Sequence, residues 1–590
     1  MTFDWEKWRK TAKRLGVALV VLIASTATAL VAEPTFADDA APSSPSVAER
    51  TLPAPRLADR WFYASFGVES DERADELAAL IRRASAVGYN GVLWSCGVEN
   101  YSRWDDARKA RLAKIRAVAD EENVEIIPIL WSIGYGTALG FDQNLAEGLP
   151  VRGLPARAVD GRVEAVATPV DVPNGSLESW KKNSPTDYVF NDQPGTISFR
   201  DGDVARSGSA SMRFENFAAD KHGHGRLMKE IRLEPSRLYR ASVWFRTENV
   251  RGNLMLQIYD ENGAPLGSAR PKYDAESATD WTRVSAVFRA PEEGKTRLYA
   301  GVWDGEDGRF WVDDLTVEPV GLVNPLRRPG TPIVVADAES GTVYDEGKDW
   351  VLPEFSLRLW NPNAESQTLT IPEGSRIKDG QTLKIDYYYP PLVGAPQIGT
   401  CMSEPKLYEF FEESARGVVE ALAPKKWFLS MDEIRCAGTC AACKARGISL
   451  AEILADCIAK QRKIIRETTP DAEIYIWSDM LDPKHNARDN YYVCDGSYVG
   501  VWDLIPKDLI ISCWYYEIRE ESMKFFSERG FRTQAAAYYD VDSLDTSLDW
   551  LETCARTPGC VGIMYTTWRK KYELLEGFGR ATLESPLPKE

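Results

Sequence analysis

Histidine is scarce in this chain, whose 590 residues include only His222, His224 and His485. A metal centre built from several histidines, or a Ser-His-Asp triad, is therefore poorly supplied. Basic residues are fewer than acidic ones, and the formal net charge is −17. Nucleic-acid binding needs a basic surface, so the composition argues against that class of function. The negative charge instead fits solubility outside a cell and an uncharged or cationic ligand.

Long apolar runs are lacking beyond the N-terminus, where residues 16–32 follow a basic segment that ends at Arg14. This order predicts a signal peptide over residues 1–37, with Thr35-Phe36-Ala37 as the small-residue cleavage site. An uncleaved membrane anchor is the alternative, because the run approaches spanning length. Residues 38–57 are rich in Ala, Pro and Ser and are predicted to be a linker. We expect a secreted, periplasmic or cell-surface protein whose only membrane contact is this N-terminal segment.

Strands alternating with helices are the main pattern in two separated parts of the chain. Three predicted strands, near residues 60–67, 91–95 and 124–132, alternate with helices within residues 58–165. Five more predicted strands follow within residues 401–590. Such alternation predicts a parallel sheet. Eight strands in all favour an α/β fold, a (β/α)8 TIM barrel with an all-β insertion after strand 3.

The insertion has short alternating apolar runs and frequent turn residues. Its first part, residues 166–320, is predicted to be a jelly-roll-like antiparallel sandwich, and residues 321–400 a small β-rich unit. The sandwich also resembles the cenC-like carbohydrate-binding modules, in NGSLESW at 174–180, YRASVWFRT at 239–247 and WVDDLTV at 311–317. That resemblance implies a sugar-binding module and allows a structural calcium near Asp313 or Asp314.

Acidic and aromatic residues collect at the predicted carboxyl ends of the barrel strands. Asp432 and Glu433 follow strand 4, and the remaining strand ends carry Trp94, Trp131, Trp477, Asp479, Trp514, Tyr538, Tyr539, Asp540 and Trp568. The carboxyl ends of parallel barrel strands meet on one side, and acids among aromatic rings suit a pocket that cleaves sugars. We therefore expect Asp432 and Glu433 to be catalytic and the other residues of this set to bind substrate.

The Met431-Asp432-Glu433 run resembles the Asp-Glu pair of the glycoside hydrolase family 20 β-N-acetylhexosaminidases and their substrate-assisted relatives. The resemblance implies that Glu433 is the general acid/base. It implies that Asp432 orients the substrate 2-acetamido group, whose carbonyl oxygen is the nucleophile. It also implies a tyrosine ligand for the acetamide and a tryptophan wall, with Tyr538, Tyr539, Trp477, Trp514 and Trp568 as candidates. The chain departs from that family in lacking His-x-Gly-Gly before the pair and in carrying the insertion.

Other interpretations of the same residues stay open. Asp432 and Glu433 could form a salt-bridge pair with Arg435. On a non-acetylated sugar, a protein nucleophile, Asp540 or Glu517, could replace the acetamide. A third interpretation is a glycan-binding protein whose barrel is catalytically dead.

Nine of the ten cysteines lie between Cys401 and Cys560. Among them, Cys436, Cys440 and Cys443 form a C-x3-C-x2-C run that could bind zinc with a fourth ligand. In an exported protein a disulfide with a partner elsewhere is favoured. We therefore assign no metal there, and no cofactor beyond the optional calcium. The expected partner is an oligo- or polysaccharide substrate.

Overall fold

The computed structural model describes residues 57–393 and 397–584. The predicted signal peptide and all but the last residue of the predicted linker lie outside these ranges. Within them, no helix is both long enough and apolar enough to cross a membrane.

The strands are numbered in chain order. They are β1 Asp59–Ser65, β2 Gly91–Ser95, β3 Glu125–Leu130, β4 Leu149–Val159, β5 Arg162–Ala165, β6 Trp180–Lys181, β7 Ser184–Pro185, β8 Phe190–Asn191, β9 Ser198–Asp201, β10 Ser211–Phe214, β11 Gly225–Arg232, β12 Leu238–Asp260, β13 Pro265–Ala269, β14 Ala278–Arg289, β15 Lys295–Pro319, β16 Leu322–Val323, β17 Val334–Asp337, β18 Val343–Tyr344, β19 Ser366–Gln367, β20 Leu369–Thr370, β21 Thr382–Tyr389, β22 Lys426–Leu429, β23 Glu473–Trp477, β24 Ile510–Cys513, β25 Arg532–Tyr538 and β26 Cys560–Thr566. The α-helices are α1 Asp71–Ser85, α2 Asp106–Glu121, α3 Pro405–Leu422, α4 Ala441–Ala445, α5 Leu450–Thr468, α6 Val501–Leu504, α7 Arg519–Ser527, α8 Asp545–Arg556 and α9 Leu575–Glu584.

Eight parallel strands close into a barrel in the order β1, β2, β3, β22, β23, β24, β25, β26, and β26 pairs with β1. Successive side chains of a strand point to opposite faces. Leu93 of β2 therefore packs inside the barrel with Phe428 and Tyr475, whereas Val92 and Trp94 pack outside with the helices. The barrel wall thus separates an inner aromatic cluster from an outer core.

The expectation of a (β/α)8 TIM barrel is wrong for this chain. The closed parallel barrel is present, but helices account for only 25% of the structure, and most regular structure is β, including several antiparallel sheets. In the segment between β23 and β24 the only α-helix is the four-residue α6, which follows two 3-10 turns. That segment carries Pro, Asn, Asp and Gly turn residues instead of a long apolar face. Between β3 and β22 the chain forms β4 to β21, and most of the apolar side chains of these strands form two cores separate from that of the barrel.

Two antiparallel assemblies fill the insertion. The larger is an eight-stranded sheet centred on the long strands β12 and β15, and its own core includes Phe214, Phe245 and Phe310. The smaller sheet has the order β18, β17, β21, β4, β5, β20. Strands β4 and β5 therefore belong to the smaller sheet, although the sequence assigns residues up to 165 to the barrel part.

Candidate active site

The acid pair lies in a turn directly after β22. Glu433 has a φ of 44°, which is the left-handed region that non-glycine residues rarely occupy. Its N–H donates to Asp479 Oδ2 at 2.9 Å. On a regular strand, Asp432 and Glu433 would point to opposite faces. The left-handed turn releases them from that alternation, and a strained backbone held by a buried acceptor is typical of functional sites.

The Glu433 carboxylate is held by partners from three different segments. Tyr135 donates its hydroxyl to Oε2 at 2.6 Å, and Gln397 donates its amide to the same oxygen at 2.8 Å. Arg435 lies 3.3 Å from Oε1. Because Glu433 is only 5% exposed, this charge is fixed in orientation and balanced by the guanidinium.

Asp432 has a different environment. It is half-buried, and it accepts a hydrogen bond from Ser430 Oγ at 2.8 Å. Burial, followed by the negative charge of Glu433, raises the pKa of Asp432 to about 6. A carboxyl group with this pKa can hold a proton near neutral pH and release it.

Asp479 lies behind the pair and is fully buried. Besides the Glu433 N–H, it accepts from Asn486 Nδ2 at 2.8 Å and from Trp514 Nε1 at 3.4 Å. Burial and the nearby Asp432 raise the pKa of Asp479 to about 8. A buried side chain with these partners positions the turn.

Aromatic rings cluster on the inner side of the barrel, where Trp514 contacts Asp479. Trp514 and Tyr539 are stacked, with ring centroids 6.0 Å apart and an interplanar angle of 3°. Trp568 lies 6.1 Å from Trp477 and 5.0 Å from Tyr63. The Tyr539 hydroxyl and Trp568 Nε1 are buried beside each other, and neither makes a hydrogen bond of good geometry within the described ranges. Buried donors of this kind need a partner, which a polar ligand can supply.

His485, which sequence reasoning did not select, completes the wall. Its ring centroid lies 4.4 Å from that of Trp514 and 4.7 Å from that of Tyr515. Burial lowers the pKa of His485 to about 3, so the imidazole is neutral at ordinary pH. It therefore contributes a flat surface and no charge.

Three of the expected substrate-binding residues are not brought to the pair. Trp94 donates to the Phe66 carbonyl at 2.9 Å, and Trp131 donates to Ser414 Oγ at 2.8 Å. Tyr538 stacks on Tyr565 with centroids 4.1 Å apart. All three belong to the core outside the barrel wall, because strand alternation turns them away from the interior. We assign them a packing role and correct the expectation that they bind substrate.

Asp540 and Glu517 make contacts that do not suit a nucleophile. Asp540 accepts the Trp568 N–H at 2.9 Å and the Thr567 hydroxyl at 2.5 Å, so its carboxylate shapes the turn that presents Trp568. Glu517 is exposed on the 3-10 turn Tyr516–Ile518.

Tyr135 and Gln397 are functional candidates that the sequence search missed. Tyr135 follows Gly134, where an added Cβ would lie 2.2 Å from the Asp432 carbonyl oxygen. The Gly134-Tyr135-Gly136 run after β3 therefore packs directly on the acid-pair turn. In the sequence, the two glycines of this run were the feature that could have indicated such a close approach. Gln397 comes from the end of the insertion and carries no local signal.

The larger antiparallel sheet reaches the same region. Strand β13 contacts the 3-10 turn Tyr491–Val493. The Tyr492 ring in that turn lies 4.5 Å from Arg435 Cζ, and Arg435 pairs with Glu433. The sheet is thus joined to the acid pair by a short series of contacts.

The contacts of Asp313 and Asp314 do not fit the structural calcium site that the resemblance allows there. Asp313 accepts the N–H groups of Arg206 at 2.9 Å and of Asp314 at 2.8 Å. Asp314 accepts from the Arg206 guanidinium and the Ser207 hydroxyl, each at 2.8 Å. These carboxylates serve as acceptors for protein donors, whereas calcium needs six to eight oxygen ligands directed at one point.

Comparisons with known proteins give no family model that matches this chain. The curated proteins give no match either. Among solved structures, the chain is similar to the carbohydrate-binding module TmCBM61 in complex with β-1,4-galactotriose, with 17% identity, a TM-score of 0.19, and coverage of 25% of this chain and 91% of that one. It is similar to the CBM22-1 xylan-binding domain of Paenibacillus barcinonensis Xyn10C, with 11% identity, a TM-score of 0.18, and coverage of 24% and 90%. It is also similar to a rhamnosidase from Novosphingobium sp. PP1Y, with 11% identity, a TM-score of 0.30, and coverage of 90% and 59%.

Proposed function

We propose that this protein is a glycoside hydrolase that cleaves N-acetylhexosaminides, with the substrate's own 2-acetamido group as the nucleophile. The observation that carries the proposal is the pair of adjacent carboxyls in one turn with unlike environments. Asp432 has a pKa of about 6, while Glu433 is fixed beside Arg435. Two neighbouring carboxyls in unlike environments are the usual basis of acid and stabiliser roles in glycoside hydrolysis.

In this mechanism Asp432 protonates the glycosidic oxygen as the bond to the leaving group breaks. A proton donor must hold its proton at working pH, and the burial of Asp432 beside Glu433 provides this. This assignment exchanges the roles that the family 20 resemblance implies for the two residues. The exchange rests on the contacts of the pair, because Arg435 lies 3.3 Å from Glu433 Oε1 and burial raises the pKa of Asp432.

Glu433 and Tyr539 would hold the acetamide. The Glu433 carboxylate suits an acceptor for the acetamide N–H. The Tyr539 hydroxyl lies beside the Trp568 N–H and finds no acceptor among the described residues, so it suits a donor to the acetamide carbonyl oxygen. Burial, followed by the negative charge of Glu433, raises the pKa of Tyr539. Trp477, Trp514 and Trp568 would form the apolar wall around the acetamide methyl group.

A protein nucleophile is the less supported alternative. Asp540 is engaged by the Thr567 and Trp568 donors, and Glu517 lies on a surface turn. A non-catalytic glycan-binding protein is also less supported. It would not need the strained turn at Glu433 or the buried Asp479 that holds this turn.

Export and glycan targeting are part of the same proposal. The N-terminal signal pattern suits a substrate outside the cytoplasm. The contact between β13 and the Tyr491–Val493 turn suits a module that holds a glycan near the site.

The test is hydrolysis of a panel of aryl glycosides by the purified protein beside Asp432→Asn and Glu433→Gln. Glu517→Gln is the matched control, because it removes an exposed carboxylate from the same face of the barrel. We expect cleavage of N-acetylhexosaminides by the wild type and the control, with large losses in both site variants. Cleavage of plain glycosides alone, with Asp432→Asn active, would overturn the acetamide mechanism, and a fully inactive panel would support the binding protein.

A further inference from the structure

Three cysteines and one glutamate meet behind the acid-pair loop. Cys401 precedes α3, Cys440 and Cys443 flank the start of α4, and Glu147 lies just before β4. All four side chains are buried, and their ligand atoms lie within 4.8 Å of one another. Cys436, the third member of the C-x3-C-x2-C run, is outside this group, so the cluster differs from the one that spacing alone suggests.

Three separations within the cluster are close to those of a tetrahedral metal site. Cys401 Sγ lies 3.5 Å from Cys440 Sγ and 3.6 Å from Cys443 Sγ. Cys443 Sγ lies 3.5 Å from Glu147 Oε2. With Zn–S bonds of about 2.3 Å and Zn–O bonds of about 2.1 Å, tetrahedral geometry gives ligand separations of roughly 3.6–3.8 Å.

The second oxygen of Glu147 is held in place by other donors. Oε1 accepts the N–H groups of Cys440 at 2.9 Å and Gly148 at 3.3 Å, and the Thr439 hydroxyl at 3.2 Å. These bonds leave Oε2 directed at the sulfur atoms. Supporting contacts that orient a ligand in this way are characteristic of built metal centres.

A disulfide explains the cluster less well. The two close sulfur contacts share Cys401, so one disulfide would leave the third thiol and the Glu147 carboxylate buried together. A sulfur separation of 3.5 Å is also well beyond the bond length of about 2.05 Å.

We propose that Glu147, Cys401, Cys440 and Cys443 form a structural zinc site. Four protein ligands close the coordination shell, which is the pattern of structural and not catalytic zinc. The site would join three chain segments that are distant in sequence and fix the loop that begins at Glu433. This inference does not depend on the proposed hydrolase activity.

The test is the metal content of the purified full chain, measured by inductively coupled plasma mass spectrometry. We expect one zinc per chain in the wild type, almost none in Cys401→Ser and Cys443→Ser, and one in the control Cys96→Ser, whose buried thiol lies outside the cluster. Cobalt exchanged into the wild type should give the intense visible absorption of a tetrahedral thiolate site, and Glu147→Gln should alter that band.

The wild-type measurement decides the question even if a cysteine variant fails to fold. Absence of stoichiometric zinc, or its replacement by another metal, would overturn the assignment. So would an intact mass lower by two hydrogens together with a peptide that links Cys401 to Cys440 or Cys443.

Discussion

The Glu433 N–H donates to Asp479 Oδ2 at 2.9 Å while Glu433 keeps a φ of 44°. Asp479, which follows the C-terminal end of β23, therefore holds the strained turn after β22. We expect Asp479→Asn to lower kcat by about 10²-fold with little change in KM, because small misplacements of catalytic groups have costs of that size.

The pH profile shows whether Asp479 acts through position or through charge. Asp479 has a pKa of about 8 and is therefore protonated where Asp432 titrates, at about 6, so Asp479→Asn should leave the alkaline limb of kcat/KM in place while kcat falls. A limb that moves, measured on folded protein, would contradict a purely positioning role.

Leaving-group dependence separates the roles of the two acids. Asp432→Asn should lose roughly 10²–10⁴-fold activity on aryl glycosides with poor leaving groups, the size of a general-acid contribution. The loss should be much smaller with an acidic phenol, which needs no proton. Glu433→Gln should lose activity on both. If Glu433→Gln shows the leaving-group dependence instead, the roles implied by the family resemblance are the correct ones.

The pH dependence follows from the raised pKa of Asp432. The proton donor is active when protonated, so kcat/KM should be flat below pH about 6 and fall above it. The folded state also binds this proton more tightly than the unfolded chain, whose aspartate has a pKa of about 3.9. This contribution to the free energy of unfolding is therefore present below pH about 4 and is lost as the pH rises through about 6, which urea titrations of the wild type and Asp432→Asn can compare.

Gly134 tests the packing behind the acid pair. In Gly134→Ala the new Cβ would lie 2.2 Å from the Asp432 carbonyl oxygen, so the turn must shift. We expect a loss of about 1–3 kcal/mol in the free energy of unfolding, together with reduced kcat. Gly140→Ala is the control, because no atom lies within 4 Å of its added Cβ. Equal unfolding midpoints and activities for the two variants would contradict the contact.

The Tyr539 hydroxyl is predicted to bind the acetamide carbonyl. Tyr539→Phe should reduce kcat/KM on N-acetyl substrates by roughly 10²-fold, since it removes a donor to the developing charge. Tyr538→Phe is the neighbouring control, because Tyr538 packs on Tyr565 outside the barrel wall. Similar kinetics for the two variants would contradict the role of Tyr539.

The sequence predicted the parts of the fold that depend on local pattern. The eight barrel strands are short apolar runs, so their positions and parallel pairing were accessible. The helical layer was overestimated because the turn-rich connection before β24 has no apolar face. Strands β4 and β5 were misplaced because β21, which pairs with β4, and β20, which pairs with β5, lie far along the chain.

The candidate site was predictable only at strand ends. The Asp432-Glu433 pair was found because it follows an apolar strand, whereas Trp94 and Trp131 were misassigned because strand alternation at the barrel rim cannot be fixed to one residue from sequence. Gln397, Glu147 and Cys401 act through contacts with residues far along the chain, so no spacing marks them.

Inhibition by an N-acetyl thiazoline analogue tests the central claim most directly. The analogue resembles the ring formed when the acetamide oxygen attacks the anomeric carbon, so a substrate-assisted enzyme should bind it competitively and far more tightly than substrate. We expect such inhibition in the wild type and its weakening in Tyr539→Phe. An active enzyme that the analogue does not inhibit would contradict the proposed mechanism.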